Sequence, residues 1–349
     1  MNIAPEYIIN TLDNKEKPLI NMVENILAGK RISVDEALWL YTQADVSLLG
    51  ILANFVRYKK NGDKVFFIKN IHVEYTNICV NKCAFCSFRS RTSDDAWLMA
   101  PEDIFNVVEK NVSEGIREVH IVGGIHPDKD IYFWLPILKR ISTTYPHIHI
   151  KAFTAAELDY IITKAGLTIS EGMALLKKSG LQSIPGGGAE IFNPEIRLRL
   201  YPTKIDAQRW LDIHREVHLC GLPSNATMLY GHVEILADRI HHLNMLRQLQ
   251  DKTGGFNAFI PLKYKSRNND LKGIKEATAL EDMKMFAISR IFLDNFPHIK
   301  AYWPMLGKDM ALLATDFGAD DLDGTIYNTT AIYTKAGADD IKPQMTPAD

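Results

Sequence analysis

The chain has only four cysteines in 349 residues, and three of them fall within one stretch of eight. So few exclude a disulfide scaffold, and their clustering suits metal ligation in a reducing compartment better than secretion. Neither sign of charge is in excess. The formal net charge of −2 gives no electrostatic reason to expect a nucleic-acid partner. No apolar run reaches the ~20 residues that a membrane-spanning helix needs. The opening residues, MNIAPEYIINTLDNKEKP, lack the basic start and apolar centre of a signal peptide. Low-complexity segments and linkers rich in Pro, Gly or Ser are also missing. These absences lead us to expect a cytoplasmic protein bound to neither membrane nor nucleic acid. They say nothing of its oligomeric state. What is present is an ordinary globular composition, 46% hydrophobic and 23% charged, in a chain long enough to bury a large core.

Residues 1–64 read as an N-terminal helical segment. Leu19, Met22, Val23, Ile26 and Leu27 recur at helical spacing within a helical stretch over 17–58, which ends at the hinge Lys60-Asn61-Gly62-Asp63. From 65 to 335 the pattern alternates. Strands are predicted at 71–76, 118–122, 147–153, 181–184, 225–230, 256–261, 298–303 and 321–326, with helices such as 101–114, 155–165, 205–220, 234–253 and 281–295 between them. Six to eight repeats of strand then helix predict an α/β fold, a parallel sheet closed into a TIM-type (β/α) barrel. A doubly wound open sheet has the same periodicity. In both, ligands collect at the C-terminal ends of the strands. Residues 336–349 form a C-terminal tail.

Directly after the first strand comes Cys79-Val-Asn-Lys-Cys83-Ala-Phe-Cys86, with the spacing C-x3-C-x2-C. Three thiolates can hold three irons of a [4Fe–4S] cube and leave the fourth open, whereas four cysteine ligands would make an electron carrier. The open iron can chelate the amino and carboxylate groups of S-adenosylmethionine (SAM). A structural zinc site competes with this reading, but it normally needs a fourth ligand and no second C-x2-C pair exists. Cys220 stands apart on the apolar face of a predicted helix and reads as core.

Other unusual residues follow the later strands. Gly123-Gly124 lets a ligand approach the backbone, although a tight turn explains the pair equally simply. Gly186-Gly187-Gly188-Ala189-Glu190 precedes a predicted helix, with Glu190 in its first turn. That residue either stabilises the helix dipole or reaches a ribose or ammonium group. In Asn225–His232, alternation puts Asn225 and Thr227 on one face and Tyr230 on the other. His232 then follows at the strand's end as the candidate catalytic group, with a turn-capping role as the alternative. His126, Lys151, Asn225 and Tyr230 are candidate substrate contacts. Lys300 within a strand is either solvent-facing or a purposeful buried charge, and Asp323-Gly324 could reach a ribose.

The cysteine spacing, with Phe85 before the last cysteine, resembles the radical SAM superfamily. That resemblance implies a [4Fe–4S] cluster on Cys79, Cys83 and Cys86, with SAM held by Phe85, Gly123 and Gly124; Glu190 and Asp323 are further candidates for SAM from their positions alone. The segments HIKAFTA, PGGGAEIF, NATMLYGH, HIKAYWPMLG and DLDGTI, spread over about residues 17–335, narrow it further. They are similar to the aminodeoxyfutalosine synthases of the futalosine route to menaquinone. This implies a small-molecule substrate, SAM as co-substrate, and a one-electron reductant such as flavodoxin or ferredoxin. Dehypoxanthine futalosine cyclase shares the GGGAEI run, and the synthase joining tyrosine to the deazaflavin precursor shares GGIHP.

Overall fold

A computed structural model of the chain describes residues 5–10, 12, 17–324, 331–338 and 345. The tail expected at 336–349 lies mostly outside the described residues, as do positions 325 and 326 of the last predicted strand. The strands are β1 (Phe66–Ile68), β2 (Asn70–Glu74), β3 (Glu118–Val122), β4 (His149–Ala152), β5 (Ser224–Tyr230), β6 (Phe256–Lys263), β7 (His298–Ile299) and β8 (Asp321–Gly324). Every pairing between them is parallel.

The pairings run in a ring. β2 pairs β3 and β3 pairs β4, while β5 pairs β6 and β6 pairs β7. The predicted strand at 181–184 is reduced to two parallel bridges, Lys151 to Ser183 and Ile184 to Ser224, which join the two halves. A third bridge, Lys300 to Asp321, joins β7 to β8. β8 in turn pairs β1, which runs into β2 after a single residue. This is the expected (β/α) barrel, with its thinnest joints at those bridges.

Helices α1 (Pro5–Asn10), α2 (Lys17–Leu27), α3 (Val34–Gln43) and α4 (Val46–Asn61) precede the barrel. The stretch read as helical over 17–58 is therefore divided into three helices. Gly29 adopts φ +71°, which favours glycine, and Ser33 then caps α3 in a reciprocal box with Glu36. Around the ring follow α5 (Pro101–Val112), α6 (Ile131–Thr144), α7 (Ala155–Lys164), α8 (Ile169–Lys178), α9 (Pro194–Leu200), α10 (Ala207–Leu219), α11 (Leu236–Thr253), α12 (Ala279–Phe292), α13 (Trp303–Leu306), α14 (Lys308–Asp316) and α15 (Ala331–Ala336). The N-terminal helices pack outside the barrel, α3 against α11 and α12, and α4 against α12 and α14. Among the described residues no helix is long and apolar enough to cross a membrane.

Strand alternation sorts the side chains. Ile71, Val73, Val119, Ile121, Ile150, Ala226 and Met228 are buried in the main core. The alternate set, including His120, Lys151, Asn225 and Thr227, faces a cavity inside the barrel. Barrels of this kind usually fill that space with Val, Ile and Leu. A polar interior needs partners or a ligand.

Candidate active site

A cavity of about 250 Å³ opens at the C-terminal ends of the strands. Cys79, Cys83, Cys86 and Phe85 line it, with Gly123, Gly124, the Gly186–Gly188 turn, Glu190, Lys151, Asn225 and Asp323. Ten of the thirteen candidate site residues therefore share one wall system, together with the Gly186–Gly188 turn.

The cysteine loop is tied at several points. Asn77 accepts from the Trp97 N–H at 2.9 Å through its side chain, and its own Nδ2 donates to the Asp95 carbonyl at 2.7 Å. The backbone N–H of Val80 donates to the Ile125 carbonyl, and that of Ala84 to the Leu200 carbonyl. Burial pushes the Cys83 thiol up to about 12 and raises the Cys79 thiol as well. Taking up metal must therefore release protons. Among the described residues no three Cys, His, Asp or Glu side chains gather at one ion-sized point. Three soft thiols facing one cavity without converging on a single ion fit a cluster in which each iron takes one thiolate. They do not fit a single zinc.

Gly124 answers a different demand from the one expected. Its N–H donates to the Thr76 carbonyl at 2.7 Å. A Cβ there would run into the Ile78 carbonyl, one residue before Cys79. Glycine is needed because the cysteine loop lies on this turn. Glu157, which the sequence reading missed, supports the same turn: its Oε1 accepts from the Gly123 N–H at 3.1 Å and the Tyr75 hydroxyl at 2.9 Å. It is hidden in the sequence because Thr154-x-x-Glu157 also reads as an ordinary capping box on α7.

Glu190 is not in the first turn of a helix. It adopts φ +50°, and α9 starts four residues later at Pro194, capped by Asn193. The carboxylate faces the cavity and pairs with Lys204, a second residue the sequence reading missed. Burial alone disfavours the Lys204 cation, but Glu190 and the nearby Cys83 hold its pKa above the usual lysine range. Lys151 pairs with Glu118 at 2.7 Å, and Lys300 is a buried charge held by Asp321 at 3.3 Å and Asp323 at 2.7 Å. Burial would raise the Asp323 carboxyl, yet Lys300 keeps it below the usual range.

Three expected site residues do not line the cavity. His232 turns back beneath its own strand, with Nε2 3.2 Å from the Leu229 carbonyl and Nδ1 3.2 Å from Glu234 Oε2. Tyr230 lies on the outer face of β5, as alternation predicts, and donates to Asp282 at 2.7 Å. His126 closes its own turn, accepting from the Asp128 N–H at 3.1 Å.

Residues 73–246 match the family model of the radical SAM superfamily, and residues 253–343 match that of the CofH/MqnC C-terminal region. The chain is 40% identical to the aminodeoxyfutalosine synthase of Thermus thermophilus over 91% of its own length and 87% of that protein. The chain belongs to the radical SAM superfamily. It is an enzyme of that kind, and the cofactors of the superfamily are a [4Fe–4S] cluster and SAM. It is also 38% identical to the 5-amino-6-(D-ribitylamino)uracil–L-tyrosine 4-hydroxyphenyl transferase of Methanoculleus marisnigri, covering 93% of this chain and 90% of that one. Methylornithine synthase, a solved structure at 15% identity, shares the radical SAM fold with a TM-score of 0.72 over 88% of this chain and 87% of that one.

Proposed function

We propose that this enzyme makes 6-amino-6-deoxyfutalosine from SAM and 3-[(1-carboxyvinyl)oxy]benzoate, as a step toward menaquinone. The observation that carries the reading is the 40% identity to an aminodeoxyfutalosine synthase across nearly the whole chain. In this reading Cys79, Cys83 and Cys86 each hold one iron, and a flavodoxin or ferredoxin reduces the cluster. When bound, the cluster would supply the electron that cleaves SAM to methionine and an adenosyl group, and joining that group to the enol-ether double bond, with aryl migration and loss of CO2, would return the electron.

The chain's own residues have to bind, orient and exclude. The N–H groups of Gly123 and Gly124 are taken by Glu157 and the Thr76 carbonyl, which hold the turn in place and leave its C=O groups to meet the SAM amino group. Glu190 with Lys204 presents a fixed charge pair on one side of the cavity and Asp323 on another, where they can meet the amino-acid and ribose groups of SAM. Phe85 meets Tyr201 edge to face at 5.5 Å, which fixes an apolar surface beside the thiols. A primary carbon radical abstracts hydrogen from almost any donor, so the alkene must be held in place and water kept out. Ile260, Leu262, Phe88 and Tyr302 supply that dry wall.

The tyrosine-using relative at 38% identity makes a second substrate class the natural competitor. Anaerobic reconstitution, reduction, and mass spectrometry of products from each substrate separate the two. Formation of aminodeoxyfutalosine with the adenosyl group retained supports the reading. Free 5′-deoxyadenosine with tyrosine as the consumed substrate would replace it.

A further inference from the structure

His120 lines the cavity, and His72 stands beside it on the neighbouring strand. His72 and His120 occupy paired positions of β2 and β3, with ring centroids 4.7 Å apart. His72 is only 6% exposed, yet neither of its ring nitrogens has a hydrogen-bond partner among the described residues. The same holds for Nε2 of His120, which lines the cavity, and for Oε1 of Glu118. Buried polar atoms are nearly always paired, with protein or with something bound. Such a concentration of orphans marks the floor as a place where a polar group sits.

The neighbouring wall has the opposite character. Ile260, Tyr302 and Met305 form a small apolar cluster against which Leu262 and Tyr333 pack. The Tyr302 and Tyr333 ring centroids are 4.8 Å apart, and Tyr333 lies 6.5 Å from His72. A flat apolar slot ending on polar donors is complementary to an aromatic ring that carries one polar substituent.

We propose that His72 and His120 form a carboxylate-binding pocket at the floor of the barrel, which holds the ring carboxylate of the substrate. This rests on the proposed reaction, whose substrate carries two carboxylates, and it assigns them to different places. The vinyl carboxylate adjoins the alkene and must lie near SAM at the rim. The benzoate carboxylate survives the reaction and points away from the radical, toward the floor.

Charge balance adds a requirement. The groups facing His72 are His120, Glu118, Lys151, Lys300, Asp323 and the Tyr333 ring. Lys151 is already matched by Glu118, and Lys300 by Asp321 and Asp323. Burial holds both imidazoles in the neutral form, His72 at about 4 and His120 well below its ordinary value. An added carboxylate has no unmatched cation to meet, so it enters with a proton that the imidazole pair takes up.

The test uses cluster-loaded enzyme with SAM and no reductant, so that nothing turns over. The probes are 3-methoxybenzoate and its neutral counterpart 3-methoxybenzamide, titrated by calorimetry in phosphate and in Tris. The wild type should prefer the carboxylate and take up about one proton with it, and none with the amide. His120→Leu should weaken the carboxylate about tenfold and leave the amide unchanged. Because the imidazole nitrogens are orphaned, the variant's melting temperature should hold or rise. His72→Leu serves as the second variant. A wild type without carboxylate preference, or a folded variant that keeps both the preference and the proton uptake, overturns the assignment. Product analysis with the enol ether keeps the two ideas separable. Aminodeoxyfutalosine formed by an enzyme whose histidines leave benzoate binding unaffected overturns the pocket alone. A pocket that behaves as expected in an enzyme making no aminodeoxyfutalosine overturns the reaction alone.

Discussion

At the rim of the cavity, residues adjacent in the chain are also adjacent in space: Cys79, Cys83 and Cys86 share one loop, and Gly123 and Gly124 share one turn beneath it. At the floor, His72, His120, Lys151 and Lys300 come from β2, from β3, from β4 and from the position after β7. The rim is a backbone construction, in which cysteines stand at fixed spacings and glycines let one loop lie on another. The floor is a side-chain construction, assembled only when the sheet closes. A local motif can write the first kind of site into a sequence, whereas the second leaves single polar residues in otherwise apolar strands.

The largest effect should come from the rim. Replacing Cys79, Cys83 or Cys86 by Ala should abolish product formation and lower bound iron, while Cys220→Ala should leave both nearly intact. Cys220 caps the far end of α10, where its N–H donates to the Glu216 carbonyl and its own carbonyl accepts from Lys177 at 2.6 Å. Full turnover with any two of the three loop cysteines would sink the cluster assignment.

Gly124→Val comes next. Its side chain would meet the Ile78 carbonyl rather than an empty ligand space, so the cysteine loop must move. Overpacking of this sort costs about 1–3 kcal/mol. Iron content after reconstitution should fall together with the melting temperature. Normal iron content in a variant that has lost only SAM affinity would show that the turn serves the ligand and not the loop.

The same contrast sets what could be read in advance. Strand positions were legible because apolar runs alternate with helices, and the order around the barrel follows from parallel crossovers. How far each strand pairs was not: the strands expected at 181–184 and 298–303 shrink to two bridges and to two residues with one bridge, which no periodicity records. Glu190 was found for its neighbours, but its left-handed backbone was invisible, and so was its partner Lys204, fourteen residues on. Glu157 was concealed by a motif with an ordinary meaning. His72 and His120 drew no notice, because one histidine in a strand is unremarked until a second stands beside it.

Glu74, where β2 ends, links the floor to the wall. Its carboxylate accepts from the N–H groups of Ala331 at 2.7 Å and Ile332 at 3.2 Å, holding the helix that carries Tyr333. Burial pushes this carboxyl up from 4.5 to about 7, with the two N–H donors opposing. A carboxyl raised by folding contributes stability that is complete below the unfolded value of 4.5 and is lost as pH rises through about 7. Over that window the loss is at most about 3 kcal/mol. Glu74→Gln should flatten the fall in melting temperature between pH 5.5 and pH 7.5, values chosen as about the accessible part of the window. An unchanged slope would mean that the carboxyl does not titrate there.

The smallest effect is expected at His232, and it tests whether chain position alone makes a site residue. His232 follows a strand and a glycine at the end of the barrel where the thiols stand, so by sequence it belongs to the rim. In space it belongs to neither region. Its ring sits between the Leu229 carbonyl and Glu234, and that carboxylate already accepts from the N–H groups of Gly231 at 2.6 Å and His232 at 2.9 Å and from Arg239 Nε at 2.8 Å. Glu234 therefore keeps its partners when the imidazole is removed, and what is lost is packing and one long contact. His232→Ala should cost about 1–2 kcal/mol in chemical denaturation. The product spectrum should be unchanged, because no atom of the ring faces the cavity. Accumulation of shunt products in a folded, cluster-loaded variant would instead put the imidazole back at the reacting centre, and would require the turn at Gly231 to open during turnover.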